Sequence, residues 1–205
     1  MIYELKETGR ASALFAGWQD SVVWSALQGV MGKIYVDSLE KPESGVAMLG
    51  DFCFLSGKPE SEVISGALAN GASEEVILVP QNDDWAQMIV DCCGEKAEKT
   101  VRYAIKKEPG IFDLKQLQKA AQSLPGEYEM KLIDQTLFEI CRDTQWSKDL
   151  TANYESYSQY KEYGLGVCIL TGGEVVAGIS SYSGYGRRSD ENLGCHGGIE
   201  IEVVT

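Results

Sequence analysis

Hydrophobic positions recur with two different periods along this chain. From Asp20 onward, Val23, Trp24, Leu27 and Met31 return three and four residues apart and so share one face of a helix. Asp20 suits its N-cap and Gly32 its stop. Lys33–Asp37 is β-branched and aromatic, which predicts a strand. The Lys41-Pro42-Glu43-Ser44-Gly45 run is turn chemistry, and Val46–Leu55 reads as a second strand completing a hairpin. Pro59 fits the first turn of a helix that runs to Ala69 and stops at Asn70-Gly71. Glu75–Val79 is expected to be a buried strand. Asn82–Cys93 is expected to be a helix capped by Asn82 or Asp83, with Trp85, Met88, Ile89 and Cys92 on its apolar face. Thr100–Lys107 predicts one more strand.

Glu108-Pro109-Gly110 is the best boundary, dividing the chain into units 1–109 and 110–205. Past it, Asp113 caps a helix that aligns Leu114, Leu117, Ala121 and Leu124, and Pro125-Gly126 ends it. Glu127–Ile133 alternates like a strand. Asp134–Arg142 is helical, with Leu137, Phe138 and Cys141 on one side. Tyr154–Tyr163 reads as a polar helix ended by Gly164. An apolar strand over Leu165–Leu170 turns at Thr171–Glu174 and returns over Val175–Tyr182. A polar loop, Ser183–Gly198, leads to a last strand, Ile199–Val204. The order predicts a mixed α/β (α+β) protein rather than a uniform βαβ repeat. Each half holds a helical segment followed by a two-stranded hairpin, the pattern of a loose internal duplication.

Composition narrows the function classes. The chain has 205 residues, 44% of them hydrophobic, enough for a real core. The net charge of −13 argues against nucleic acid, whose phosphates need Lys and Arg, and weakly favours a cationic or neutral partner. No apolar run approaches the roughly 18 residues of a membrane span. The start, Met1 to Glu7, has no secretory pattern. Six cysteines form no framework and no C-x-x-C, and the chain has a single histidine, so no metal site is expected. Cys53, Cys141 and Cys168 lie in apolar runs and read as core residues. At least one of Cys92 and Cys93 should be buried. Cys195-His196, flanked by glycines, reads as loop rather than as a nucleophile with its base. A reducing cytoplasm is the default compartment.

Several catalytic motifs are absent. There is no G-x-x-x-x-G-K-[ST] and no G-x-S-x-G. Gly164-Leu165-Gly166 and Gly184-Tyr185-Gly186 lack a third glycine and a following helix. The carboxylates Glu200 and Glu202 fall on one side of the last strand, opposite Ile199, Ile201 and Val203. Two readings stay open for them: a solvated sheet face, or a general base beside a cleft that receives an amine. Tyr154, Tyr157, Tyr160, Tyr163, Tyr182 and Tyr185 also admit two readings, as core packing or as the wall of a polar-ligand pocket.

From residue 127, the order β-α-α-β-β-β with an apolar hairpin and a final Glu200-Ile201-Glu202-Val203 strand resembles the first part of the GNAT N-acetyltransferase fold. The resemblance covers nearly the whole chain. It rests on Trp18, Trp24–Gly29, Gly32–Asp37, Gly50–Gly57, Arg102-Tyr103, Gly164–Gly166, Ser180–Tyr182 and Gly198–Glu202, which look like the GNAT branch that includes zwittermicin A resistance acetyltransferases. The resemblance implies mixed sheets flanked by helices, with a degenerate GNAT-like N-terminal half before a partial GNAT domain. It implies acetyl transfer from acetyl-CoA, as co-substrate, to the amine of a small molecule. Glu202, nearer the acetyl end, or Glu200 would be the catalytic carboxylate. The backbone of Val203 and Thr205 would hold the cofactor, and Tyr182 would line the amine side. No metal, nucleic acid or membrane partner is implied. The family's pyrophosphate loop, Arg-x-x-Gly-x-Gly/Ala, would come after Thr205, so these 205 residues are expected to acetylate poorly by themselves. The alternative is a non-catalytic GNAT-like binding or oligomerisation module, with a possible homodimer through the last strand.

Overall fold

The computed structural model describes residues 1–71, 75–101 and 110–186, together with the backbone of 199–204. β-Branched and aromatic runs build two sheets. The first contains β1 (Tyr3–Glu4), β2 (Lys33–Val36), β3 (Ser44–Leu49), β4 (Phe52–Gly57) and β5 (Ile77–Pro80) in that order. Its pairs are antiparallel except β4–β5, which is parallel and crosses over through α2 (Ser61–Asn70). The second contains β6 (Tyr128–Leu132), β7 (Gly166–Thr171), β8 (Glu174–Gly184) and β9 (Ile199–Val204), antiparallel throughout. The remaining helices are α1 (Ser21–Leu27), α3 (Asp83–Cys93), α4 (Leu114–Gln122), α5 (Gln135–Asp143) and α6 (Tyr157–Tyr163). This is the mixed α/β architecture expected.

The first sheet is covered on both faces. Val46, Met48, Cys53 and Leu55 pack against Val63, Ile64, Ala67 and Trp85 from α2 and α3. On the other side Ile34, Val36, Ala47, Leu49 and Phe54 join Val22, Val23, Trp24 and Ala26 of α1. That second cluster continues through Leu137, Phe138, Cys141, Tyr154, Tyr160 and Cys168, so one buried core crosses both sheets. Cys53, Cys141 and Cys168 are fully buried in it or its neighbour, as their apolar runs suggest.

Local readings differ from the structure at identifiable points. The single strand expected over Val46–Leu55 is two, because Gly50-Asp51 makes a tight turn and Leu49 pairs with Phe52. Gly50 adopts φ 55°, a left-handed conformation that glycine reaches without a Cβ clash. Both faces of β3 and β4 are buried, so hydrophobicity runs on across the turn and hides it. Helix α1 stops at Leu27 rather than Met31, since Gly29 turns the chain at φ 66°. Met31 is buried all the same. Among the described residues β5 ends its sheet, and Ile77 is exposed, so it is not the buried strand expected. On α3 only Trp85 is fully inward, while Cys92 is exposed and Cys93 half-buried. Helix α6 begins at Tyr157, where Ser156 accepts from the Gln159 amide, so Tyr154 lies in the preceding turn. Residues 1–19 contribute β1 and a 3₁₀ turn, Thr8–Ala11, that no periodicity marks. Most of the strand expected over 100–107, and Cys195-His196, lie outside the described residues.

Candidate functional site

Strand β8 carries the local irregularity around which the site is built. After a first register shift against β7 near Val176, Gly178, Ile179 and Ser180 alternate as buried, exposed and buried. The alternation then breaks: Ser180 and Ser181 are both buried, followed by half-buried Tyr182 and buried Ser183. Against β9, Ser181 pairs with Ile201 and Ser183 with Glu200, leaving Tyr182 as the extra residue of a β-bulge. A bulge bends its strand, increases the local twist and re-aims the side chains around it.

The buried hydroxyls around the bulge find partners. Ser180 bonds the Tyr160 hydroxyl at 2.9 Å, and Ser181 bonds the Tyr154 hydroxyl at 2.7 Å. Ser181 also accepts from the Leu165 amide at 2.9 Å. Burial pushes the Tyr160 phenol up to about 12, against the opposing pull of Ser180, and raises Tyr154 in the same way. Both phenols are therefore neutral at physiological pH and serve as packed hydrogen-bond partners rather than as bases. Beneath them the Cys141 and Cys168 sulfurs lie 3.7 Å apart. The bond from Cys141, and then burial, hold the Cys168 thiol well above its ordinary range, so it is not a nucleophile.

The first sheet supplies the other wall. The Tyr182 hydroxyl donates to the Leu49 carbonyl at 3.2 Å and accepts from the Asp51 amide at 3.1 Å. The Tyr182 ring meets Phe52 edge-on, with centroids 5.3 Å apart, and Asn153 donates to the Tyr182 carbonyl at 3.1 Å. Helix α1 faces the end of β8: Ser21 bonds Ser183 at 2.7 Å and Ser25 donates to the Gly184 carbonyl at 2.8 Å. Gln28 brackets Gly186, accepting from its amide at 2.9 Å and donating to its carbonyl at 3.2 Å.

The structure brings Tyr182 beside the backbone of both carboxylate positions. Glu202 pairs with Ser180, Val203 with Ile179, and Glu200 with Ser183. The side chains of β9 and all of Thr205 lie outside the described residues. Sequence reasoning singled out β9 and Tyr182 but not the partners that α1 and the β3–β4 turn provide. Gly50-Asp51, a turn dipeptide inside an apolar run, was the available signal. A separate open groove of about 370 Å³ lies between α5 and α6. There Arg142 sits 5.2 Å from the centre of the Phe138 ring and donates to the Tyr154 carbonyl at 2.6 Å and to that of Glu155 at 3.2 Å. That cation is thereby engaged with backbone oxygens. Among the described residues, no cluster of three metal-ligating side chains occurs, and no helix is long and apolar enough to cross a membrane.

Comparison with known proteins gives this arrangement a context. The crystal structure of a GCN5-related N-acetyltransferase-like protein from Streptococcus suis 89/1591 superposes with a TM-score of 0.82 at 39% identity. The match covers 98% of this chain and 76% of that one. No curated protein matches the chain. The family described as GNAT acetyltransferase matches residues 12–205, a span that takes in every strand of both sheets except β1. This match, with the 39% identical neighbour, shows that the chain belongs to the GNAT acetyltransferase family.

Proposed function

We propose that the protein is an N-acetyltransferase that transfers the acetyl group of acetyl-CoA to an amine of a small molecule, at the β8–β9 pair. The observation that carries this reading is the family match, which includes both strands. Acetyl-CoA suits the backbone present. Among the described residues β9 is the outer strand of its sheet, and its edge away from β8 offers amides and carbonyls of the kind a pantetheine arm pairs with. In this reading the backbone of Val203 and Thr205 holds that arm. Glu202 takes the proton from the attacking amine, with Glu200 as the second carboxylate. The Tyr182 ring borders the amine side. The bound co-substrate supplies the activated acetyl carbonyl, and the chain supplies orientation and a proton acceptor. The net charge of −13 suits a cationic amine and disfavours nucleic acid. The five described cysteines are free thiols, in keeping with a cytoplasmic site of action. The resemblance to zwittermicin A resistance acetyltransferases supports a primary amine of a small molecule as the acceptor to test.

A second reading is a non-catalytic GNAT-like module that pairs with a second copy through β9, which is the outer strand among the described residues. Thermal unfolding with and without acetyl-CoA separates the two. A ligand that binds only the folded state must raise its stability, by about 2.7 kcal/mol at a hundredfold excess over Kd. The transferase reading expects a concentration-dependent rise in Tm. No rise, together with a dimer by light scattering, would support the binding module instead.

A further inference from the structure

We infer that the Tyr182 hydroxyl is a positioning group that ties the β8 bulge, and through it the β8–β9 pair, to the β3–β4 turn of the first sheet. This rests on reading that pair as the acyl-transfer site. Tyr182 is the extra residue of the bulge, falling between Ser181 and Ser183 in the register with β9. Its hydroxyl takes both a donor and an acceptor from one turn: the amide of Asp51 and the carbonyl of Leu49. The turn is shaped to admit it. Gly50 stands at φ 55°, and a Cβ there would collide with the Tyr182 oxygen. The carbonyl of the same residue is held from the second half, by Asn153. The next residues are held from the first half again, Ser183 by Ser21 and Gly184 by Ser25. The bulge is thus held from outside its own sheet as well as by its pairing with β9. Acyl transfer tolerates little misplacement of its reacting groups, so the first sheet gains a role in activity without touching the reacting atoms.

The test uses the full chain with Tyr182→Phe, Gly50→Ala and the double variant. Two measurements are made: acetyl-CoA affinity by titration calorimetry well below the unfolding midpoint, and amide exchange of residues 199–204 without ligand. Tyr182→Phe keeps the ring on Phe52 and removes only the hydroxyl. It is expected to weaken acetyl-CoA binding about fivefold, the equivalent of one hydrogen bond, and to speed exchange in β9 selectively. Gly50→Ala displaces the same hydroxyl, so the double variant should bind no more weakly than the weaker single one. Unchanged affinity in Tyr182→Phe, or exchange that rises evenly over both sheets, overturns the inference in favour of a purely structural tyrosine. If the unaltered protein binds no acetyl-CoA, it is the transferase reading that fails. The exchange measurement then decides the tie alone, for it if β9 accelerates selectively and against it otherwise.

Discussion

Tyr154 and Tyr160 show what a single side chain can and cannot announce. Their aromatic spacing fitted a pocket wall as well as a core. In the structure they are 1% and 2% exposed, and their hydroxyls meet Ser181 and Ser180. The choice depended on serines 27 and 20 residues downstream, which no local period reveals. Tyr160→Phe leaves the buried Ser180 hydroxyl without this partner and should cost about 1–3 kcal/mol in denaturant unfolding. The same tyrosine predicts an alkaline dependence. Burial favours its neutral form, so its folded pKa of about 12 lies above the ordinary 10. This contribution to stability is whole below pH 10 and is lost as pH climbs through about 12. Unfolding free energy should therefore fall over that window, and less steeply in Tyr160→Phe. For the carboxylates, Glu202→Gln should lower acetyl transfer to primary amines by about 10²–10⁴-fold. Glu200→Gln should lower it less, with CoA release as the readout. Equal activity of Glu202→Gln and the unaltered protein would remove that residue from the mechanism.

At the scale of elements, helix α3 depends on two residues, a cap and an anchor. Asn82 caps it by accepting from the Trp85 amide at 3.1 Å, and Trp85 is its only fully buried side chain. The indole also donates to the Gly57 carbonyl at 2.9 Å, joining α3 to the end of β4. Trp85→Ala should destabilise the protein by about 3–5 kcal/mol. It should raise amide exchange in α3 and β5 more than in β7 and β8; a uniform rise would show that α3 is not a separable unit. The cap and the tryptophan were both legible, because capping and period are local properties. The exposure of Cys92 was not, since it depends on how the helix sits on its sheet. Helix α4 makes the same point in reverse. Its aligned Leu114 and Leu117 are 73% and 52% exposed, so amphipathicity marked the helix without guaranteeing a surface to cover it.

Over the whole molecule, the buried cluster that includes Trp24 and Phe54 also includes Phe138 and Cys168. The division of the chain at Glu108–Gly110 followed turn residues, whereas the packing runs across the two halves. Urea unfolding followed by circular dichroism and by tryptophan fluorescence should give one coincident transition; two separated transitions would mean that the halves unfold independently. The sequence alone determined the mixed order of helices and strands, the capped helices, the free and buried cysteines of the core, and the β8–β9 segment as the place to look. Those follow from period, caps and burial, which act over a few residues. Only the tertiary structure decided that Val46–Leu55 folds back on itself at Gly50, that β8 bulges at Tyr182, and that the turn holds the bulge. The fold-back is hidden because both faces of β3 and β4 are buried, the bulge appears only against β9, and the tie depends on hydrogen bonds between residues more than a hundred positions apart, such as Tyr182 and Asp51, whose energy exists only once two sheets have met.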